Sequence, residues 1–158
     1  MTVALSPIHE SFFESAPMRF RDVMSIPLSA EALWARLTGE SPFAWCRLVK
    51  LTEWTSPPPF GVGTTRTAWA LGGALVLYEQ FFRWEEGRRQ SFGVERASLP
   101  GYRRFAEDYL VEPVSESSCR FTWTIAAELA PFARAAAPVN AMVARSLFRD
   151  TRKHFAAA

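Results

Sequence analysis

Residues 64–97 read TTRTAWALGGALVLYEQFFRWEEGRRQSFGVERA. Gly72-Gly73 and Glu85-Glu86-Gly87 divide this stretch into three segments in which apolar and polar residues largely alternate. Alternation with a period of two predicts β-strands, and breaks this short predict hairpins that pair neighbouring strands antiparallel. The stretch therefore predicts three consecutive strands of an antiparallel sheet.

The same period continues on both sides of this stretch, with Gly, Pro or Ser at each break. The sequence predicts seven strands: Arg19 to Ile26, Arg47 to Thr55, Thr64 to Leu71, Ala74 to Trp84, Arg89 to Ala97, Arg104 to Val114 and Cys119 to Glu128. A meander of this kind forms a curved antiparallel sheet with one face to bury.

Helical spacing replaces the strand period after the first strand and again at the end of the chain. Ser29 is a suitable N-cap for a short helix from Ala30 to Thr38, and Pro42 to Cys46 predicts a second short turn of helix. A long segment from Pro131 to Phe155, interrupted by Pro138, predicts the last helix. Its apolar stripe contains Val139, Met142, Val143, Leu147, Thr151 and Phe155.

These elements predict an α+β fold in which the long C-terminal helix packs along a seven-stranded antiparallel sheet, with two short helices after the first strand. We expect residues 1–17 to form an irregular arm and residues 18–158 to form a single domain. Because the last helix is the longest non-strand element, it is the element expected to cover the inner face of the sheet.

Composition narrows the functional classes. Hydrophobic residues make up 49% and charged residues 22% of the 158 residues, which excludes an intrinsically disordered chain. The 18 basic and 16 acidic residues are well mixed, so no nucleic-acid-binding surface is expected. No uncharged run is long enough to span a membrane, and the first residues do not resemble a secretory signal. Two cysteines outside any disulfide or metal pattern favour reduced thiols in a cytoplasmic protein. We expect this protein to be a monomer or a homodimer.

Hairpin register predicts which side chains face inward. A two-residue turn at Gly72-Gly73 sets Arg66 opposite Glu79, and a four-residue loop after Trp84 sets Phe81 opposite Phe92. Counting around the later loops sets Val94 opposite Glu107 and three further pairs: Arg96 with Phe105, Tyr109 with Trp123, and Val111 with Phe121. The inner face is then aromatic and aliphatic, and it also carries four charges: Arg66, Glu79, Arg96 and Glu107.

The four inward charges have two interpretations. Burying an unpaired charge costs several kcal/mol, so each charge needs a partner or water. In one interpretation the four residues form two structural ion pairs, Arg66 with Glu79 and Arg96 with Glu107. In the other they line a wet cavity and orient a polar group on an apolar ligand. We expect Arg96 and Glu107 to lie together beneath the last helix, at the polar end of the pocket. The candidate pocket residues are Arg66, Glu79, Phe81, Phe92, Arg96, Phe105, Glu107, Tyr109, Phe121, Trp123 and Met142.

Catalytic and metal-binding patterns are absent from the sequence. His9 and His154 stand near the two ends of the chain, away from any nucleophile motif, and no metal-ligand spacing occurs, so neither a metal nor a cofactor is expected. Glu53, Glu79 and Glu107 are carboxylates that a cavity could turn into bases. Four basic residues on the last helix (Arg145, Arg149, Arg152 and Lys153) favour a solvated side over a membrane-surface face.

Several segments resemble recurring motifs of the SRPBCC superfamily, which contains START and polyketide-cyclase-like proteins. These are Ile26-Pro-Leu-Ser-Ala-Glu-Ala-Leu-Trp34, Gly61-Val-Gly-Thr-Thr-Arg66, Glu79 with Trp84-Glu-Glu-Gly-Arg-Arg89, and Arg120-Phe-Thr-Trp-Thr124. The resemblance extends over residues 18–155 and implies a helix-grip fold, in which the sheet wraps the C-terminal helix and leaves a cavity between them.

The resemblance implies a class of ligand but no particular reaction. One expectation is a protein that binds a lipid-like, aromatic or polyketide molecule in the cavity. The alternative is a polyketide cyclase, aromatase or dehydratase acting in the same cavity, where comparison with aromatase-like members makes Arg66, Arg96 and Tyr109 candidates for orienting the substrate. The sequence contains no catalytic signature that decides between binding and catalysis.

Overall fold

The computed structural model describes residues 1–156 and contains a curved antiparallel sheet with a long C-terminal helix. The strands are β1 (Val3–Ala4), β2 (Met18–Ile26), β3 (Val49–Trp54), β4 (Thr65–Ala70), β5 (Leu75–Glu85), β6 (Arg89–Ala97), β7 (Tyr102–Ser115) and β8 (Ser118–Leu129). The α-helices are α1 (Phe12–Ser15), α2 (Ala30–Thr38) and α3 (Ala137–Ala156).

The sheet has the order β2-β8-β7-β6-β5-β4-β3, and β1 pairs with β6 outside this path. All pairs are antiparallel. Each of the seven predicted strands is present within a few residues of its expected bounds, so the predicted α+β helix-grip architecture is confirmed.

The helices follow their local signals. The hydroxyl of Ser29 accepts a hydrogen bond from the Ala32 N–H at 3.1 Å, which caps α2 as predicted, and α2 buries Leu33, Trp34 and Leu37. Residues 42–46 form hydrogen-bonded turns, so the second short helix predicted there is wrong. A 3-10 helix, Pro131–Ala136, precedes α3, and Pro138 lies in the first turn of α3, where a missing N–H is tolerated.

Only part of the predicted stripe on α3 faces the sheet. Val143, Leu147, Thr151 and Phe155 follow one another at steps of four residues; the first two line a cavity and the last two are buried. Met142 is 66% exposed, because one residue along an α-helix is a rotation of about 100° away from the row that contains Val143. Val139, near the start of the helix, is also exposed.

Four of the predicted register pairs on the inner face are confirmed: Arg66 with Glu79, Phe81 with Phe92, Tyr109 with Trp123, and Val111 with Phe121. The pairing between β6 and β7 differs by two residues, since Glu107 lies opposite Phe92 and not opposite Val94. A shift of two residues keeps each side chain on its predicted face, so Glu107 still points inward.

Arg96 is the inward charge that the register count placed wrongly. The ladder between β5 and β6 runs from Glu79 opposite Val94 to Tyr78 opposite Arg96, so Glu95 is an extra residue in β6. A bulge of this kind reverses which face the following residues occupy. Arg96 is therefore exposed on the outer face, where its guanidinium stacks on the Tyr78 ring at 4.5 Å, and it cannot pair with Glu107.

The convex outer face is covered by the first residues of the chain, which were expected to be irregular. Val3–Ala4 forms β1 along β6, and the buried ring of Phe12 in α1 packs against Ala106 and Ala126. Phe13 stacks on Phe82 with ring centroids 6.0 Å apart. The convex face therefore contains its own small apolar cluster, which is separate from the main core between the sheet, α2 and α3.

Candidate functional site

A cavity of about 120 Å³ lies between the concave face of the sheet and α3. The sheet contributes most of its walls, and Val143 and Leu147 of α3 close the opposite side. The remaining lining residues are Phe43, Leu48, Val49, Thr52, Arg66, Ala68, Ala70, Leu71, Leu75, Leu77, Glu79, Phe92, Tyr102, Phe105, Glu107, Tyr109 and Trp123. The lining is mostly apolar with a few polar groups, which is the usual composition of a small-molecule site.

Five of the polar groups that line the cavity form one hydrogen-bonded chain. Arg66 Nε donates to Glu79 Oε2 at 2.5 Å, and Arg66 Nη2 lies 3.5 Å from the Tyr109 hydroxyl. That hydroxyl donates to Glu107 Oε2 at 2.7 Å. Trp123 Nε1 donates to the same oxygen at 2.9 Å. Strands β4, β5, β7 and β8 each contribute one or more of these groups, so the cluster depends on the register of the whole sheet.

Aromatic rings hold the Arg66 guanidinium in place. Its carbon lies 4.8 Å from the centroid of Phe92, 5.1 Å from that of Phe81 and 5.3 Å from that of Trp54. Burial alone would lower the pKa of Arg66, but the charge of Glu79 and the contacts with Glu79 and Tyr109 together outweigh burial and raise that pKa above its ordinary value. Arg66 and Glu79 are therefore a buried ion pair, as one of the two interpretations of the sequence expected.

No cation within residues 1–156 forms an ion pair with Glu107. Burial raises its pKa from 4.5 to about 7, and the hydrogen bond from Tyr109 offsets only part of that effect. Burial likewise raises the pKa of Tyr109 well above its usual value, so this hydroxyl keeps its proton and acts as a donor. Near neutral pH the Glu107 carboxyl is present in both its protonated and ionised forms.

Some polar atoms of the cluster have no hydrogen-bond partner within residues 1–156. Arg66 Nη1 is sealed from solvent and makes no hydrogen bond there. Glu79 and Glu107 each use Oε2 in the contacts above, whereas their Oε1 atoms accept no hydrogen bond from the described residues and are not sealed. Because both residues line the cavity, these two oxygens are available to a bound molecule.

Seven of the eleven predicted pocket residues line the cavity: Arg66, Glu79, Phe92, Phe105, Glu107, Tyr109 and Trp123. Phe81 and Phe121 lie one layer behind it, buried against Arg66 and against Tyr109 respectively. Arg96 and Met142 are on the protein surface, so the expectation that they face the pocket is wrong. Glu53, the further carboxylate considered, lies on the outside of β3.

Several lining residues were not predicted from the sequence. Val143 and Leu147 belong to the predicted apolar stripe of the last helix, so that stripe contained the signal for them. Phe43 lies in a turn with a backbone φ of 66° and packs its ring 4.7 Å from Trp123 and 5.0 Å from Tyr109. No periodic pattern marks a single residue in a turn, which is why the count along strands missed it.

Other features of the described chain supply no alternative centre. A groove on the convex side, between residues 5–8 and strands β5 and β6, has no buried ionisable group in its lining. Residues 1–156 contain no group of three or more His, Cys, Asp and Glu side chains arranged to hold a metal ion. His154 stacks on Trp45 at the surface, with ring centroids 5.0 Å apart. Among helices in this range, none combines the length and the apolar character needed to cross a membrane.

Comparison with protein families identifies the group to which this architecture belongs. Residues 17–157 match the family described as "Polyketide cyclase / dehydrase and lipid transport". The chain belongs to this family. It is also 36% identical over 149 residues to proteins of Mycobacterium tuberculosis and Mycobacterium bovis that are described as uncharacterized, with 91% of this chain and 88% of each relative aligned.

Solved structures share the fold of this family member at low sequence identity. A START superfamily protein from Mycobacterium smegmatis aligns with a TM-score of 0.67 and 10% identity, covering 87% of this chain and 96% of that one. Ginseng major latex-like protein 151 from Panax ginseng aligns with a TM-score of 0.64 and 16% identity, covering 87% and 97%. The di-domain ARO/CYC BexL from the BE-7585A biosynthetic pathway aligns with a TM-score of 0.61 and 14% identity, covering 85% of this chain and 46% of that one. These likenesses show that the chain has the helix-grip fold.

Proposed function

We propose that this protein binds a small hydrophobic molecule in the cavity between the sheet and α3. The observation that carries the proposal is a mostly apolar cavity that ends in buried polar groups with free hydrogen-bonding atoms. A protein that only needed a stable core would gain by filling this space, because a cavity costs stability in proportion to its volume. Family membership and the free buried thiols of Cys46 and Cys119 are compatible with a ligand-binding protein of the cytoplasm.

The size of the cavity limits what can enter without rearrangement. An empty apolar cavity of about 150 Å³ is known to hold one benzene ring. The cavity here, at about 120 Å³, accommodates a group of comparable or slightly smaller size. We therefore expect one ring or a short alkyl group of the ligand to occupy it, and a longer ligand to require displacement of α3 or of the turn at Leu71, both of which line the cavity.

Fluorobenzene is a suitable probe because it is apolar, uncharged and visible by fluorine NMR. We expect saturable binding to the native chain, and loss of that binding in Val143→Phe, where the new ring occupies the cavity. Met142→Phe is the matched control, since it places the same ring on the adjacent, exposed residue of α3 and leaves the cavity open. Equal binding by both variants, or no binding by the native chain, would refute the proposal. If the native chain binds fluorobenzene and Val143→Phe does not, native mass spectrometry of protein from its own host would identify the natural ligand.

One observation favours a second candidate, an enzyme of the cyclase type. A carboxyl with a pKa of about 7 is ionised in part at neutral pH and is basic enough to remove a proton beside a ketone. Glu107 would take that proton, and the enolate carbon would then form a bond to a second carbonyl carbon. The proton held by Glu107 would then pass to the new alkoxide, which completes an aldol cyclisation.

Deuterium exchange separates this candidate from simple binding. Acetophenone in deuterated buffer reports proton removal beside its ketone, and the exchange is followed by proton NMR without knowledge of the natural substrate. An enzyme that uses Glu107 as its base would speed the exchange over buffer, and Glu107→Gln would abolish that effect while fluorobenzene still binds. Deuterium exchange into acetophenone no faster than in buffer alone would argue against the enzyme and in favour of simple ligand binding.

A further inference from the structure

Resting on the proposed ligand-binding function, we infer that the cavity selects uncharged ligands that carry a hydroxyl group, such as a phenol or an enol, and excludes carboxylates. The inference follows from the free polar atoms at the cavity wall and from the charges around them. Both can be read from the contacts of Arg66, Glu79 and Glu107.

The available atoms call for a hydrogen-bond donor on the ligand. Glu79 and Glu107 line the cavity, and the Oε1 atom of each accepts no hydrogen bond from residues 1–156. The Glu79 carboxylate is held in its ion pair with Arg66, so its free oxygen can only accept. A ligand hydroxyl satisfies that oxygen, whereas a ketone or an alkyl group leaves it buried without a partner, which is unfavourable.

The charge of the cluster argues against an anion. Arg66 is already neutralised by Glu79, and no second cation among the described residues lines the cavity. The other ionisable groups that face it are Glu107, Tyr109 and Tyr102, none of which can become positive, and α3 contributes only Val143 and Leu147. A buried carboxylate ligand would therefore add an uncompensated negative charge beside two carboxyl groups.

Three compounds that share a methylbenzene ring separate the possibilities: toluene, p-cresol and p-toluate. Each is measured by competition with fluorobenzene at about pH 6, where Glu107 is mostly protonated. We expect p-cresol to bind about tenfold more tightly than toluene, the difference that one well-formed hydrogen bond can make. We expect p-toluate to compete at least about tenfold less well than toluene, because its charge must be desolvated.

A pair of variants tests the assignment of the carboxyl groups. Glu107→Leu should reduce the preference for p-cresol over toluene by about threefold or more, since one of the two hydroxyl-binding oxygens is removed. Asp108→Asn, at the next residue of β7, changes a carboxyl on the convex face and should leave the preference unchanged. Each preference is a ratio within one variant, so a difference in folding between variants cancels.

The outcomes distinguish this inference from the function on which it rests. Binding of toluene together with equal or tighter binding of p-toluate would overturn the inference and leave the proposed function standing. An unchanged preference in Glu107→Leu would also overturn it, as would tighter binding of 4-methylbenzylamine than of p-cresol, which would indicate a site for cations. Failure of all the compounds to bind would refute the proposed function itself.

Discussion

Glu107 and Asp108 are neighbours on β7 and point to opposite faces of the sheet, yet their surroundings differ. Asp108, on the convex side, is only 3% exposed and accepts hydrogen bonds from Arg83 at 3.1 Å, Arg89 at 3.0 Å and Ser91 at 2.5 Å. Glu107, on the concave side, accepts from two uncharged donors at Oε2, and no described residue donates a hydrogen bond to its Oε1.

The difference shows that two buried acids on adjacent residues of one strand can be compensated to very different degrees. The donors around Asp108 include two guanidinium groups, so the carboxylate is fully compensated and offers nothing to a ligand. Glu107 is compensated by neither a cation nor a full set of donors, and its pKa rises to about 7 as a result of burial. A cavity lies beside Glu107, whereas the Asp108 cluster is covered by the first residues of the chain, from which Glu10 adds a contact to Arg83 at 3.5 Å.

The largest expected effect is on the ion pair of the concave face. Glu79→Leu leaves the Arg66 guanidinium buried without its counter-charge, and we expect the free energy of unfolding to fall by about 4 kcal/mol. The double variant Arg66→Met with Glu79→Leu removes both charges and should lose much less. Urea unfolding of the single and double variants measures both values. A double variant as unstable as the sum of the two single ones would show that the pair is not coupled.

The next effect concerns the pH dependence of stability. Because the folded-state pKa of Glu107 is above its ordinary value, the folded protein binds this proton more tightly than the unfolded chain does. Protonated Glu107 therefore stabilises the folded protein in full below about pH 4.5, and this stabilisation is lost as the pH rises through about 7. The free energy of unfolding falls by roughly 3 kcal/mol over this range. Glu107→Gln should lack this loss, so the free energy of unfolding of the variant should rise relative to that of the native protein between these pH values.

Asp108→Asn is the corresponding test on the convex face. The substitution keeps the shape of the side chain but removes the charge that compensates Arg83 and Arg89. We expect a loss of about 2 kcal/mol in the free energy of unfolding, because both guanidinium groups are partly exposed and water replaces some of the lost interaction. Fluorobenzene binding should be unchanged. Weaker binding would indicate that the two faces are not independent.

The smallest expected effect is at Gln90, next to both clusters on β6. Its side chain is fully buried, and neither amide atom has a hydrogen-bond partner within residues 1–156. Gln90→Met keeps the volume and removes the unsatisfied polar atoms, so we expect stability to increase by about 1 kcal/mol. Thermal unfolding measures the change. A decrease would show that the amide has a buried partner such as water.

The strands and much of their register could be predicted from local pattern. Hairpin loops are short, so a count from Gly72-Gly73 is enough to place Arg66 opposite Glu79, and a count from residues 115–118 places Tyr109 opposite Trp123. The same count failed at Arg96, because the extra residue at Glu95 has no signature in a single sequence. The bulge decides the face of every residue that follows it in β6. The buried pair of Arg66 and Glu79 was therefore predicted correctly, whereas the pair of Arg96 and Glu107 was not.

The sequence by itself determined the period of each element, the cap of α2, the antiparallel order of the meander and the aromatic character of the inner face. These depend on residues close together along the chain, whose spacing fixes which side each one occupies. Only the tertiary structure decided that α1 and β1 cover the convex face and that Phe43 and not Met142 reaches the cavity. It also decided that one oxygen of Glu107 accepts no hydrogen bond from the described residues. Those outcomes depend on how distant segments fill space against one another, and a local pattern contains no information about the volume that is left between them.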